Sequence, residues 1–259
     1  MHRNPFDEED IARKYLSTNV QKTNIYPWDI HPFSGRVLDI GCANGNTLEY
    51  LAKLPINVDL VGIEPSNSLI KEANKGDKYI IIRAYAEQMP FNNSSFDHAY
   101  SRYAVKWFMD ISKSFKEVHR VLKPNSLFLI ADTGFNEFRD FYNILADGVN
   151  KIFGKNTSDS IYALCNRTRF TLNDVTALAS YTGFEIISQI EIYDCEIFTE
   201  FEEFDKKWFT AFGGVKDFAN ILGLSIPETR NMAQDILFQY FRGAELTFRH
   251  HNYLITLKK

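Results

Sequence analysis

The chain has 259 residues and a mass of 30.0 kDa, with 45% hydrophobic and 24% charged residues. That is the makeup of an ordinary globular protein with room for one large α/β core. A formal charge of −4 and a pI near 5.9 argue against the strongly cationic footprint of a nucleic-acid-binding protein. Cys42, Cys165 and Cys195 are widely spaced, suggest a reducing compartment, and offer neither a disulfide framework nor a metal-ligand spacing. The opening "MHRNPFDEED" is polar and acidic, and no apolar run approaches the roughly 20 residues of a membrane span. These features predict a cytoplasmic protein without integral membrane association or a metal site.

Residues 7–20 predict an amphipathic helix with Ile11, Tyr15 and Leu16 on one face. A turn-rich stretch, "YPWDIHPFSG", leads to alternating units. Strand Arg36–Ile40 precedes a helix at Asn46–Lys53, and strand Val58–Ile63 precedes a helix at Ser66–Asn74. A third strand is expected at Tyr79–Tyr85 and a fourth at Phe96–Tyr103. Then come an amphipathic helix at Ile111–Lys123, stopped by Pro124, and a fifth strand at Ser126–Asp132. Short apolar strands alternating with helices predict a parallel sheet covered on both faces. Residues 134–170 read as helical. Thr171 is an expected N-cap, Gly183 a helix stop, and Phe184–Tyr193 a strand. About 50 residues rich in Phe and Trp follow before the last strand, "FRHHNYLITLKK". The pattern is one domain with helical insertions at about 134–170 and 198–246.

"VLDIGCANGNTLEYL" places Gly41 and Gly45 at a strand-to-helix turn, with Asp39 ending the strand. Such glycines permit a tight turn and close approach of a ligand to backbone. Glu64 ends the second strand 25 positions after Asp39, where a carboxylate grips a ribose diol in nucleotide-binding folds. Asp39 itself either accepts from a ligand's amino group or braces the loop. Gly-x-Gly-x-x-Gly, which suits a dinucleotide pyrophosphate, is absent, so an NAD-dependent oxidoreductase is the poorest fit.

This stretch resembles motif I of class I S-adenosylmethionine-dependent methyltransferases, Val-Leu-Asp-x-Gly-x-Gly-x-Gly, with Ala43 and Asn44 in its variable centre. "AYAEQMPFNNSSFDHAYSRYAVKWF", "FKEVHRVLKPNSLFLIAD" and "TLNDVTALASYTGFEII" resemble, in order, further blocks of that family's type 11 branch. That branch holds quinone C-methyltransferases and malonyl-carrier-protein O-methyltransferases. The resemblance implies a Rossmann-like seven-stranded mixed sheet with helices on both faces and a helical cap from the two insertions. It also implies S-adenosyl-L-methionine as cofactor, held by Asp39, Gly41, Cys42, Gly45, Glu64, Pro65, Ala86, Glu87 and Ser101; Tyr15, on the N-terminal helix, either closes over it or simply packs against the fold.

In-line methyl transfer needs alignment and exclusion of water, and needs a base only for weakly acidic acceptors. Asp132, at the end of strand five, and His98, within strand four, are the candidate catalytic groups, although burial in packing is the stronger reading of His98. His250 and His251 are adjacent on one strand, so at most one is expected to face the core. Arg102, Tyr103, Phe135 and Trp208 are candidate acceptor-binding residues. The aromatics of the insertions, among them Phe141, Phe198 and Phe204, either line an apolar acceptor pocket or form the insertions' own core. The implied acceptor is a small, partly apolar molecule methylated on O, N or C. An acyl group on a carrier protein is the alternative, which predicts a basic docking patch near the cap. A protein that binds the cofactor without turnover is the rival from another class.

Overall fold

The structure is a computed structural model that describes residues 9, 12–13, 33–73, 78–134, 139–167, 170–206, 215–241 and 245–259. The helix expected at residues 7–20 lies almost wholly outside these residues. A seven-stranded sheet organises the rest: β1 (Gly35–Ile40), β2 (Val58–Glu64), β3 (Tyr79–Arg83), β4 (Phe96–Arg102), β5 (Leu122–Thr133), β6 (Glu185–Phe198) and β7 (Leu246–Lys258). Their order is β3-β2-β1-β4-β5-β7-β6. Strands β1 to β5 pair in parallel, and β7 runs antiparallel between β5 and β6. The first connections run outward from β1 to β3, then the chain crosses back to β4. The strand order therefore reverses between β1 and β4, and in such sheets the crevice at that point takes the ligand.

Helices α1 (Asn46–Lys53), α2 (Asn67–Lys71), α3 (Ile111–Val121), α4 (Arg139–Phe153), α5 (Lys155–Arg167) and α6 (Leu172–Tyr181) form along the chain. They are followed by α7 (Phe201–Phe204), α8 (Val215–Leu222) and α9 (Ile226–Phe241). Period-two alternation divides the core between the two sheet faces. On one, Leu38, Ile40, Phe128 and Ile130 pack against Phe115 and Val118 of α3 and Val175 and Ala179 of α6. On the other, Val37, Leu60, Tyr100 and Leu129 pack against Leu48 and Leu51 of α1. Helix starts are capped by side chains: Ser66 accepts from the Leu69 amide, Asp110 from Lys113, and Thr171 with Asp174 completes a capping box.

Several boundaries differ from the sequence reading, among them the helix after β2, which ends at Lys71, and three others have a visible cause. The helix before strand five ends at Val121 instead of Lys123, because Leu122 is already extended and pairs with Phe96. Residues 123–126 then bulge out of the ladder, with Asn125 at φ 66°, before Leu127 pairs with His98. Strand three stops at Arg83, and Tyr85 instead bridges Gln88 across a turn. Strand six continues five residues past Tyr193 to Phe198, since β7 offers it a partner along its whole length.

That extension positions the helices of the C-terminal half. Strand β5 ends at Thr133, paired with Asn252, while Leu246–His251 of β7 and the matching part of β6 continue as a two-stranded ribbon. At strand rise, six residues carry it about 20 Å past the C-terminal edge of the parallel strands. Helices α4, α5, α7, α8 and α9 gather around the ribbon's end in a second core of Phe141, Leu145, Phe198, Phe204, Leu237 and Phe248.

Candidate active site

At the end of β1 the chain turns sharply, and its amides hook onto β2. The N–H groups of Gly41 and Cys42 both donate to the Ile63 carbonyl, at 2.9 and 3.0 Å. The Gly45 amide donates to Cys42 O at 2.9 Å, which closes the turn and starts α1. Both glycines are required by geometry. Gly41 sits at φ 79°, and a Cβ there would come within 2.4 Å of the Ala104 Cβ. Gly45 sits at φ 80° and packs against Ile81 and Tyr79. The loop after β1 and the loop after β4 thus touch where the strand order reverses.

Glu64 is the buried brace of this turn. Its Oε2 accepts from the Ala43 amide at 3.1 Å and its Oε1 from the Ser66 amide at 2.8 Å, linking the glycine turn to the start of α2. Pro65 lies between Glu64 and Ser66 and gives its carbonyl to Arg83 Nε. Cys42 is a packing residue: its buried sulfur lies beside Gly62, and burial pushes its thiol pKa well above the ordinary value. The protonated thiol offers no nucleophile.

Asp39, facing α1, is buried and accepts from the Tyr100 hydroxyl at 2.9 Å. Burial pushes its carboxyl pKa up to about 7; the Tyr100 hydrogen bond and the Arg102 charge oppose that rise, and the Glu64 charge adds to it. Ser101, fully buried, donates to the Ile40 carbonyl at 3.0 Å and so braces the end of β1. Beyond it, Tyr103 takes φ 56° and stacks near the cations of Arg102 and Lys106.

The far wall of the crevice is built on Asp132, which is buried. Its Oδ1 accepts from the Thr133 amide at 2.7 Å and pairs with Lys106 Nζ at 3.3 Å; its Oδ2 accepts from the Lys106 amide at 3.3 Å. Lys106 Nζ also donates to Thr133 Oγ1 at 3.1 Å.

The expected residues divide accordingly. Asp39, Gly41, Cys42, Gly45, Glu64, Pro65, Ser101, Arg102, Tyr103 and Asp132 all come to the C-terminal edge of the sheet. Ala86 and Glu87 lie in the turn after β3, but Glu87 Oε1 accepts from the Met109 and Asp110 amides, at 2.7 and 3.1 Å. That oxygen therefore holds the start of α3. His98 is not with them: it pairs with Val37 in mid-sheet and packs edge-on against Phe33, three residues before Ser101. Tyr15, Phe135 and Trp208 lie outside the described residues. The described aromatics of the insertions, Phe141, Phe198 and Phe204, are buried in their own cluster, which corrects the pocket reading for these three. His250 and His251 point to opposite faces, and of the two only His251 is buried, stacked on Tyr193, while His250, beside Phe248 and Glu196, stays partly exposed.

Three contributors escaped the sequence reading. Tyr100 and Lys106 carry no motif, and only strand register and the loop after β4 bring them to Asp39 and Asp132. The third is Asn44, in the turn itself. Its Oδ1 is buried without a hydrogen-bond partner among the described residues. Position in the glycine turn was the available signal.

The sheet order and the glycine turn between β1 and α1 are those of a Rossmann-like fold. Residues 38–130 match the family described as Methyltransferase domain, its type 11 branch. It is 38% identical over 100 residues to the sterol 4-C-methyltransferase strm-1 of Caenorhabditis elegans, covering 37% of this chain and 30% of that protein. It is 27% identical over 135 residues to malonyl-[acyl-carrier protein] O-methyltransferase 1 of Coxiella burnetii, covering 52% of this chain and 46% of that one. The chain thus spans less than half the length of either relative. In fold it matches a Haemonchus contortus phosphoethanolamine N-methyltransferase 2 solved in complex with S-adenosyl-L-methionine. That likeness has a TM-score of 0.56 at 18% identity, over 98% of this chain and 56% of that one.

Proposed function

We propose that this chain is a methyltransferase that uses S-adenosyl-L-methionine to methylate a small molecule. The observation that carries the reading is the glycine turn clamped by Glu64 beside buried Asp39, at the point where the strand order reverses. The unpartnered Asn44 Oδ1 in that turn fits a ligand with a donor to offer, and a cationic ammonium is such a donor. On this reading Glu64 takes the ribose hydroxyls, while Gly41, Cys42, Gly45 and Asp39 surround the amino-acid end. Pro65, Ala86 and Glu87 flank the base, and Ser101 holds the floor between β1 and β4. The cofactor supplies a methyl group already activated on a sulfonium. The protein's work is then to align the acceptor and keep water out. Asp132, held by Lys106 and the Thr133 amide, is the carboxylate placed to take a proton from an acceptor that must lose one. Arg102 and Tyr103 are placed to orient that acceptor.

The choice among acceptors falls chiefly to the part of the chain outside the family match, which ends at residue 130, before α4. The relatives' names speak of carbon and oxygen methylation on a sterol and a carrier-bound malonyl group, so the shared segment does not specify the acceptor. The helices around the β6–β7 ribbon stand past the strand ends and suit the role of a cap over it. No described helix is long and apolar enough to cross a membrane, in keeping with an acceptor taken from solution.

Calorimetric titration with S-adenosylmethionine, S-adenosylhomocysteine and NAD tests the reading. Micromolar binding of the first two, lost in Glu64→Ala but with the protein still folded by circular dichroism, is expected. Binding of NAD alone, or of none of the three, would overturn it.

A further inference from the structure

Strand β6 is the outer edge of the sheet, and it is long and exposed on both faces. Ile187 is 49% exposed, Ile190 55%, Tyr193 64% and Ile197 59%. Pairing with β7 puts Glu191 and Tyr193 on the face of His251 and Tyr253, and Ile190, Asp194 and Glu196 on the face of His250 and Leu254. Apolar and acidic side chains therefore appear on both faces of an edge that has no further strand beside it among the described residues. Natural edge strands of this length are ordinarily kept short, interrupted by proline or guarded by lysine. This one carries Glu185, Glu191, Asp194 and Glu196 and no proline, lysine or arginine.

We propose that the β6 edge is a docking strand for an extended cationic segment of another protein, added to the sheet as an eighth strand. Main-chain groups on that edge supply the pairing, and the exposed Ile190 and Tyr193 supply apolar contacts on either face. The acids choose the partner. Along Glu185–Tyr193 a second copy of this chain would bring the carboxylates of Glu185 and Glu191 and no lysine or arginine to meet them, on a protein whose formal charge is already −4. A lysine- or arginine-bearing strand gains from the same groups. At Cys195 the edge is blunted, because its amide donates to Asp194 Oδ1 at 2.7 Å. The added strand accordingly pairs along Glu185–Tyr193.

The test uses the full chain and two fluorescein-labelled nine-residue peptides, one alternating Lys and Val, the other Glu and Val, read by fluorescence anisotropy. The Lys/Val peptide is expected to bind and the Glu/Val peptide to bind at least tenfold more weakly. Ile190→Lys with Tyr193→Lys should weaken the Lys/Val peptide at least tenfold. Glu185→Lys with Glu191→Gln, which keeps an acceptor for His251, should do the same without removing apolar surface, so the two pairs guard against a folding artefact in either. Binding unchanged by both pairs would mean diffuse attraction to an acidic protein and would overturn the proposal. Failure of the Lys/Val peptide to bind would also overturn it. So would sedimentation showing a wild-type dimer that Ile190→Lys with Tyr193→Lys dissolves, since the occupant would then be a second copy.

Discussion

Tyr100 and Asp39 sit opposite each other on β4 and β1, and the tyrosine hydroxyl donates to Asp39 Oδ2 at 2.9 Å in a site closed to water. Burial dominates this carboxyl, and its pKa rises from 3.8 to about 7. The folded protein therefore holds a proton there more tightly than the unfolded chain does. Stability from this group is greatest below about pH 4, declines between the two values, and is flat above the upper one. Asp39→Asn keeps an acceptor for Tyr100 and removes the titration. Its advantage over wild type should grow by up to about 1.4 kcal/mol per pH unit within that window and then level off. Urea denaturation of both proteins from pH 4 to 9 measures it, and a gap independent of pH would refute the argument. Tyr100→Phe should cost about 1–3 kcal/mol, since it strips a donor from a buried carboxyl.

Gly41→Ala should be costly for two separable reasons. The backbone at φ 79° disfavours any side chain, by about 1–2 kcal/mol. The new Cβ also meets Ala104 Cβ at 2.4 Å, which adds an overpacking cost of about 1–3 kcal/mol. Pairing it with Ala104→Gly removes the second cost and leaves the first. Thermal denaturation of the single and double variants should show partial recovery, and cofactor affinity should follow the same order.

Lys106 is only 21% exposed and its partner Asp132 is fully buried, so this ion pair is unlike those on the surface. Lys106→Met should cost about 3 kcal/mol by stranding a buried carboxylate, the backbone amides of Lys106 and Thr133 keeping the loss at the low end. Asp132→Asn added to it should recover most of that loss. A double-mutant cycle in urea decides the matter: additive losses would mean the two side chains do not act as a pair.

Phe204 is fully buried with rings of Phe141, Phe198, Phe241 and Phe248 within 5.9 Å. Phe204→Ala should cost about 3–5 kcal/mol, because it removes a whole buried ring and the neighbours can close over the gap only in part. Affinity for S-adenosylmethionine should stay within about twofold, since Phe204 packs among rings of its own cluster, whereas α8 and α9 meet the glycine turn through Val215 and Ile226 beside Ala43. Loss of binding in a folded variant would show that the two cores are coupled.

Much of this was legible along the chain. Alternation of five strands with helices, the turn at Gly41–Gly45, the N-cap at Thr171 and the stop at Gly183 are local features set by neighbours within a few residues, so sequence carries them directly. The acidic strand ends Asp39, Glu64 and Asp132 were legible for the same reason. Their partners were not. Tyr100 reaches Asp39 by strand register, Lys106 reaches Asp132 by the fold of the loop after β4, and Glu87 turns to the start of α3. Strand β6 runs five residues longer than its own pattern implies, because β7, some 50 residues further on, supplies the ladder.

Local sequence determined which segments become strands and helices and where glycine must stand, since those outcomes depend on backbone sterics and the period of apolar residues. Tertiary structure alone decided which buried carboxyl meets a hydroxyl, which meets an ammonium, which aromatics pack on one another, and which strand is left at the edge. Those depend on distances between residues far apart in the chain, and only the folded sheet fixes them.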